Sequence, residues 1–515
     1  MAKASEPGAI AIVLGDQLDF DSPALRGCRH VVMVEAAEES LRIHSHRART
    51  ALFFSAMRHF AQSLTEIGMR VHYRRLEDAH QGSLVDQLFA VIKTLPPAAI
   101  QVLEPGDWRI EQALIEASRV AERDLQVLED PQALCSRKEF GRYASKRSSL
   151  RMEFFYRDMR KRHRILIQAD GEPEGGQWNF DVENRKAFGA RGPSNKPAPI
   201  RFPPDETTKI VIDAIEKHVA CLPGSCDSFA WPVNRDQALK ALEHFIANVL
   251  PQFGPFQDAM WSGEPFLWHS LLGSSLNLRL LRPLEVIQAA CSAYENDPAR
   301  YPLATVEGFV RQILGWREFM RGLYWLRMPE MAEANFFEHQ APLPAWFWTG
   351  DCGMNCLRET VKQTLDHAYA HHIQRLMVIG NFSLLAGLEP RHVANWFHAV
   401  YVDAIDWVHL PNVIVMALHA MGPSLSSKPY IASGQYIARM SNYCKRCDYR
   451  PALRDGPEAC PFTVFYWDFL QRHRESMEKN PRMFHAMRQL KAMDPEKIER
   501  NAKQAELYRQ SIETI

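Results

Sequence analysis

The sequence has no run approaching the ~18 uninterrupted apolar residues that a membrane helix needs, although 46% of it is hydrophobic. Neither charge is in excess. With 61 Lys and Arg against 61 Asp and Glu, there is no global electrostatic argument for a polyanionic partner. Low-complexity tracts are missing, which excludes fibrous and largely disordered classes. The opening residues MAKASEPGAIAIVLGDQL carry one Lys before an apolar run and lead into GDQLDFDS, not into a small-residue cleavage site. They do not read as a secretory signal. The expected location is the cytoplasm, with no membrane partner. No G-x-G-x-x-G occurs either, so the usual dinucleotide fingerprint is not indicated.

At 515 residues the chain is long for one core, and at least two domains are expected. The first ~130 residues alternate β-branched runs with helical patterns, as parallel, Rossmann-like α/β domains do. Candidate strands are Ile10 to Leu14, Val31 to Glu35, Val71 to Tyr73, Ile100 to Leu103 and Leu125 to Leu128. Ala51 to Ile67 reads as a helix with Gly68 as its C-cap. From Arg164 to about Pro204 the sequence turns rich in Gly, Pro, Asn and charge and reads as a long linker. Beyond it Asp236 to Val249, Val306 to Leu326, Arg358 to Leu385 and Pro390 to Val400 carry helical periodicity. The expected division is an α/β domain over 1–135, a basic segment and linker over 136–230, and an all-helical domain over 231–515.

Charge is uneven despite its zero sum. Between Arg137 and Arg164 eleven Lys/Arg face three acids, with Phe140, Tyr143, Phe154, Phe155 and Tyr156 interleaved. Cations neutralise phosphates and aromatics offer faces to bases, but an amphipathic helix with its aromatics in the core has the same pattern. Ten cysteines in a reducing compartment argue against disulfides. Cys444, Cys447 and Cys460 form a C-x2-C-x12-C array, which can gather thiolates on one metal. Cys352 and Cys356 compete for the fourth place. Zinc and iron–sulfur both accept four thiolates, and spacing does not separate them.

HAYAHHIQRLMVIGNFSLLAG (His367 to Gly387) reads as a helix with unusually many polar groups, His371, Arg375 and Val378 sharing a face. NWFHAVYVDAIDWVHLPNV adds Asp403, Asp406, His409 and Asn412 among aromatics. Polar groups converging in an aromatic-rich helical domain point to a cofactor pocket.

HHIQRLMVIGNF resembles the flavin-domain signature of photolyases and cryptochromes, and VEGFVRQILGWREFMRG (Val306 to Gly322) resembles their Trp–Arg–Glu–Phe motif. Together with GDQL and the late cysteine array, they are similar to the prokaryotic (6-4) photolyases, the iron–sulfur bacterial branch. The resemblance implies FAD in the helical domain, held by Arg375, Asp403, His409, Asn412, Gln312 and Trp316. It implies a [4Fe–4S] cluster on Cys356, Cys444, Cys447 and Cys460, the Met354-Asn355-Cys356-Leu357 context selecting Cys356. A 6,7-dimethyl-8-ribityllumazine antenna is implied for the α/β domain, where fold logic offers Asp16, Gln17, Glu35, Glu38 and His44. Repair of (6-4) photoproducts in UV-damaged DNA would use His371 and His372 for proton transfer, with Tyr430 and Tyr436 at the mouth of the lesion pocket. Trp396 and Trp348 resemble the relay that photoreduces the flavin, and Phe397 stands where a relative carries Tyr. Asp181 and Glu183 are candidate Mg²⁺ contacts, and a monomer is expected. The alternatives are a blue-light receptor of cryptochrome type and a zinc-bearing nucleic-acid module.

Overall fold

The computed structural model describes residues 8–78, 81–426 and 428–515. Residues 1–7, which begin the segment read above for a signal, lie outside them. Five strands form: β1 (Ile10–Ile12), β2 (His30–Val34), β3 (Arg70–Arg74), β4 (Ile100–Leu103) and β5 (Leu125–Leu128). All pair in parallel, in the order β3-β2-β1-β4-β5. Successive side chains of a strand face opposite ways, so Ile10 and Ile12 enter one core with Val85, Leu88 and Ile110, whereas Ala11 joins Leu52 and Met57 on the other side. Helices on both faces bury the central strands completely, and this is why they read as unbroken apolar runs. The helix Arg47–Glu66 ends as expected at Gly68. At φ +89° that glycine lets the Met69 N–H reach back to the Leu64 carbonyl.

Beyond β5 the described residues form helices and turns, without a further strand. Leu303 to Arg327 is one continuous helical run, with a π-helical stretch over Arg311–Arg317. The single helix expected from Arg358 to Leu385 is instead broken. Asn355–His367 stops at Ala368, whose φ is +50°, and helix resumes at His372. Local side-chain hydrogen bonds hold the break open: Arg375 Nε donates to the Ala370 carbonyl (2.6 Å), and the His371 N–H donates to Gln374 Oε1 (3.1 Å). His371 therefore sits at a helix start and not on a mid-helix stripe. The turn that follows, Gln374–Gly380, is π-helical, so the α-helical spacing argument for residues 371, 375 and 378 does not apply. Asn412–Ala417 is a third π stretch. These three carry residues singled out for the cofactor, in keeping with the enrichment of π-turns at functional sites, whereas a fourth, Phe245–Val249, carries none.

The basic aromatic segment forms the helices Arg137–Ser145 and Met152–His163. Phe140, Phe155 and Tyr156 are buried in the helical core, and Phe140 meets Phe155 edge-on with centroids 5.4 Å apart. Tyr143 packs partly buried on both. Only Phe154 is exposed. These rings hold the core and do not offer a row of faces to bases; the cations around them remain outside. Gly322 marks how tightly the helices meet, since a Cβ there would lie 2.1 Å from Phe140 Cδ2. Gly322→Ala gains about 1 kcal/mol of helix propensity, but overpacking against a fully buried ring costs about 1–3 kcal/mol. A lower melting temperature is expected, read by thermal unfolding.

Between these helices and the rest of the helical body, the Gly/Pro-rich stretch packs down and does not float free. Phe188 stacks on Phe256 (4.9 Å), and the buried Asn184 donates to the Ala304 carbonyl (2.7 Å). Among the described residues no helix is long and apolar enough to cross a membrane.

Two histidines far from the site foretell acid sensitivity. Burial, then Arg472, His473 and Arg509, push the pKa of His339 down to about 3, and burial pushes His419 down to about 4. Both take up protons in the unfolded chain near the ordinary histidine value of about 6.5, and in the folded chain only well below it. Their stabilisation is therefore present above that value and lost as pH falls from about 6.5 towards 4. By pH 5 each costs about 2 kcal/mol relative to pH 7. Melting temperatures measured at the two pH values should differ accordingly.

Candidate active site and metal centre

Arg375 and Asp403 form a two-pronged ion pair, Nη1 to Oδ1 at 2.9 Å and Nη2 to Oδ2 at 3.1 Å. The guanidinium lies 3.8 Å over the ring of Tyr401. Burial raises the Tyr401 hydroxyl to about 12. Gly273 begins the short helix Gly273–Asn277 against this pair, where a Cβ would lie 3.1 Å from Asp403 Oδ2. From the same helix Asn277 Nδ2 donates to the Asp403 carbonyl, while Asn277 Oδ1 accepts from Arg317.

Just before this helix, Phe266, His269, Ser270 and Leu271 line a solvent-open pocket together with Ile200, Phe202, Trp231 and His367. The ring of His269 stacks on that of His371 at 4.2 Å. Several buried polar atoms here have no partner within the protein: His269 Nε2, both ring nitrogens of His371, Ser274 Oγ, Ser275 Oγ and Arg279 Nη1. Buried polar groups are rarely left unsatisfied, so this donor and acceptor set fits a large polar ligand. FAD, with its sugar, phosphates and ring amides, meets that description.

His372 is exposed, unlike its buried neighbours His371 and Ile373. Burial first and Arg375 second push its pKa down to about 4. Tyr430 and Tyr436 are half-buried. Charges shared between them come from Arg185, and Asp258 lies beside Tyr436, its own carboxyl raised by burial to about 6.

The remaining predicted cofactor residues separate. His409 is buried, stacks on His398 at 4.2 Å and bonds through Nδ1 to the Ile405 carbonyl (3.0 Å). Burial pushes its pKa down to about 3, so it is a neutral ring. His398, Asp406 and His409 place ligand atoms within 4.8 Å of one another, but Arg49 Nη2 already lies 3.2 Å from His398 Nε2. Asn412 and Gln312 return their amides to carbonyls one turn back, Val408 and Gly308. Trp316 is partly buried.

Of the antenna candidates, Glu35 is fully engaged. Arg58 grips both oxygens (2.7 and 2.8 Å), Tyr73 donates at 2.6 Å and the Leu76 N–H at 2.8 Å. Gln17 gives its amide N–H groups to the Leu103 and Glu104 carbonyls. Both tie loops to strands and have little left for a ligand. Asp16 stands against Gly106, and His44 is exposed. By contrast, Glu38 Oε2 and Glu39 Oε1 are buried without a partner, a fit for a ligand carrying hydroxyls or ring N–H groups. Asp181 is gripped by Arg311 and Arg185, and Glu183 is exposed. That double cationic hold does not suit a divalent ion.

The cysteines meet as a set. Cys356, near the start of Asn355–His367, and Cys444, Cys447 and Cys460 together line one small cavity with Met354, Tyr443, Tyr449 and Phe462. Asn355 Nδ2 donates to the Tyr443 carbonyl (2.9 Å) and ties the two segments. Gly434 leaves room for the set, since a Cβ there would lie 2.8 Å from Cys460 Sγ. Cys352 is turned away, its thiol donating to the Ile515 carbonyl (3.0 Å). As free thiols Cys356, Cys444 and Cys460 resist ionisation. Burial raises Cys444 to about 11 and Cys460 to about 12, and neighbouring cysteines add to it. Four thiolates in one place require a cationic centre. Among the described residues, no three of these sulfurs come within 4.8 Å of one another.

His269, Ser274, Ser275, Asn277, Arg317 and Tyr401 escaped the sequence reading. The signal for the first four was WHSLLGSSLN (Trp268 to Asn277), small hydroxyl residues crowded between apolar ones, while Arg317 and Tyr401 lie inside stretches already quoted.

The family described as "Deoxyribodipyrimidine photo-lyase-related protein" matches residues 11–231. A (6-4) photolyase of Agrobacterium fabrum is 44% identical over 479 residues, 92% of this chain and 94% of the relative. Among solved structures, a bacterial class III photolyase from Agrobacterium tumefaciens matches with TM-score 0.55 and 15% identity over 99% of both chains. A cryptochrome of Synechocystis matches with TM-score 0.53 and 12% identity, over 92% of this chain and 94% of that one. A parallel-sheet domain leading into a mostly helical one is thus the two-domain architecture of photolyases and cryptochromes. The chain belongs to the photolyase–cryptochrome family, in the branch of the bacterial (6-4) photolyases.

Proposed function

We infer that the protein repairs (6-4) photoproducts in UV-damaged DNA in a light-driven reaction, as a cytoplasmic monomer. The observation that carries this is the partly buried Arg375–Asp403 pair close to the His269–His371 stack, with His269 also lining the neighbouring pocket. Bound there in its reduced form, FAD supplies a photoexcited electron to the lesion and takes it back. Arg375 and Asp403 hold the ring system, and the guanidinium's fixed positive charge favours the electron-rich cofactor. Ser274, Ser275 and His269 offer partners to its polar groups. The lesion is flipped from the duplex into the mouth lined by Tyr430 and Tyr436. There His372, which reaches solvent, delivers the proton that the chemistry requires, and His371 orients behind it.

Cys356, Cys444, Cys447 and Cys460 hold a [4Fe–4S] cluster in this reading. Glu38 is the residue best suited to a lumazine antenna. Mg²⁺ at Asp181 and Glu183 would first have to displace an arginine.

The test is product formation from an oligonucleotide with a single (6-4) lesion, under blue light and in darkness, with reduced enzyme. Light-dependent restoration of the two pyrimidines is expected. No product from flavin-loaded, reduced protein would favour the receptor reading.

A further inference from the structure

The relay expected from the resemblance joins Trp396 to Trp348, with position 397 between them. Phe397 cannot act as a station, because a phenyl ring is far harder to oxidise than indole or phenol. Tyr401 also touches Trp396 (5.9 Å), but it lies under the Arg375 cation. Its hydroxyl meets only Thr364 Oγ1, at 3.5 Å, a hydroxyl that itself donates to the Thr360 carbonyl. A phenol must lose its proton as it is oxidised, and no base is there to accept it.

Another path is built into the turn Ala345–Phe347. Trp396 Nε1 donates to the Phe347 carbonyl at 3.0 Å, and its ring meets the Phe347 ring edge-on at 5.1 Å. Trp346 stacks on the other side of that ring at 4.4 Å and 20°. Trp396 and Trp346 are 1% and 2% exposed, whereas Trp348 is 36% exposed. The Trp346 Nε1–H donates to the Ile512 carbonyl at 2.9 Å. Both buried indoles thus hold their protons against amide carbonyls, which are too weakly basic to remove them, and an oxidised ring there stays a mobile radical cation.

We propose that Trp346 is the middle station of the flavin photoreduction relay, taking the place that Phe397 cannot fill. The inference rests on the flavin reading above. Trp396 gives one electron to the photoexcited oxidised flavin. Trp346 then gives one electron to the Trp396 radical cation, and Trp348 gives one to Trp346. At the surface Trp348 releases its indole proton to water, and an external thiol restores it by hydrogen-atom donation.

The test is blue-light photoreduction of the flavin-loaded protein with a thiol present, followed by flavin absorbance, with transient absorption of the tryptophan radicals. Trp346→Phe with full flavin content is expected to slow photoreduction by about ten-fold or more, about 1.4 kcal/mol in barrier. Adding Phe397→Tyr to it should restore much of the rate. Transient absorption on the unsubstituted protein needs no variant. Successive protonated tryptophan radicals before a slower deprotonation support the relay, and a single radical that decays in place overturns it. A parental rate in flavin-loaded Trp346→Phe overturns it as well. An unsubstituted protein that binds flavin but never photoreduces overturns the relay while leaving lesion repair by chemically reduced enzyme to judge the parent reading.

Discussion

Cys356→Ala is expected to deprive the protein of its cluster and, with it, of most of its soluble folded form, whereas Cys352→Ala should leave iron and sulfide content intact. The two thiols lie four residues apart, and both are buried. Only Cys356 shares the cavity with Cys444, Cys447 and Cys460; Cys352 is engaged with the Ile515 carbonyl. Structural metal sites contribute on the order of 10 kcal/mol or more to folding, and whole domains are stable by about 5–15 kcal/mol. Losing one of four ligands therefore removes a stabilisation comparable to the total. The cavity also sits where Asn355–His367, the loop around Cys444 and the helix Pro461–Arg472 meet, so its collapse would reach the helix that leads into the flavin site. Iron and acid-labile sulfide assays, with the absorption spectrum, check the pair. Cluster retention in Cys356→Ala with loss in Cys352→Ala would reverse the ligand assignment. Stoichiometric zinc in the unsubstituted protein would replace the cluster altogether.

The second large effect is expected at His372. Its replacement by Ala should lower the rate of light-driven repair by about 10²–10⁴-fold, the usual span for loss of a general acid, with flavin content unchanged. His371→Ala should impair both repair and flavin binding, since its ring is stacked on His269 inside the cavity wall. The pH profile supplies the sign. His372 is held neutral in the free protein, with a pKa of about 4 set by burial and by Arg375. A proton donor acts in its charged form. Above that pKa the charged fraction grows about ten-fold for each unit of acidification, so single-turnover repair in the unsubstituted protein should quicken as pH falls from 8 towards 6. The His372→Ala profile should be flat. A rate that still quickens on acidification in His372→Ala would assign the proton elsewhere, with the Asp258 carboxyl beside Tyr436 the nearest rival.

The central strands were legible because parallel strands buried on both faces must be apolar throughout, and each of the five appears within two residues of its expected place. Gly68 was legible for a local reason, the left-handed backbone that only glycine adopts freely. The basic aromatic segment misled, because composition does not say which way a ring points. Phe140 and Phe155 turn inward to meet Phe319, which lies more than 160 positions further along the chain.

What the sequence determined by itself was chemistry with a short-range signature: a sheet followed by helices, a cysteine pair at turn spacing with a third close behind, and a polar run unlike a plain core. The tertiary structure decided everything that depends on distant segments meeting. It placed Cys356 and not Cys352 in one pocket with Cys444, Cys447 and Cys460, broke the helix before His372, paired Arg375 with Asp403, and linked Trp346 to Trp396 through Phe347. Periodicity reports how a segment relates to its own axis, whereas ligand sets and relays are contacts between axes, and those are fixed only when the cores close.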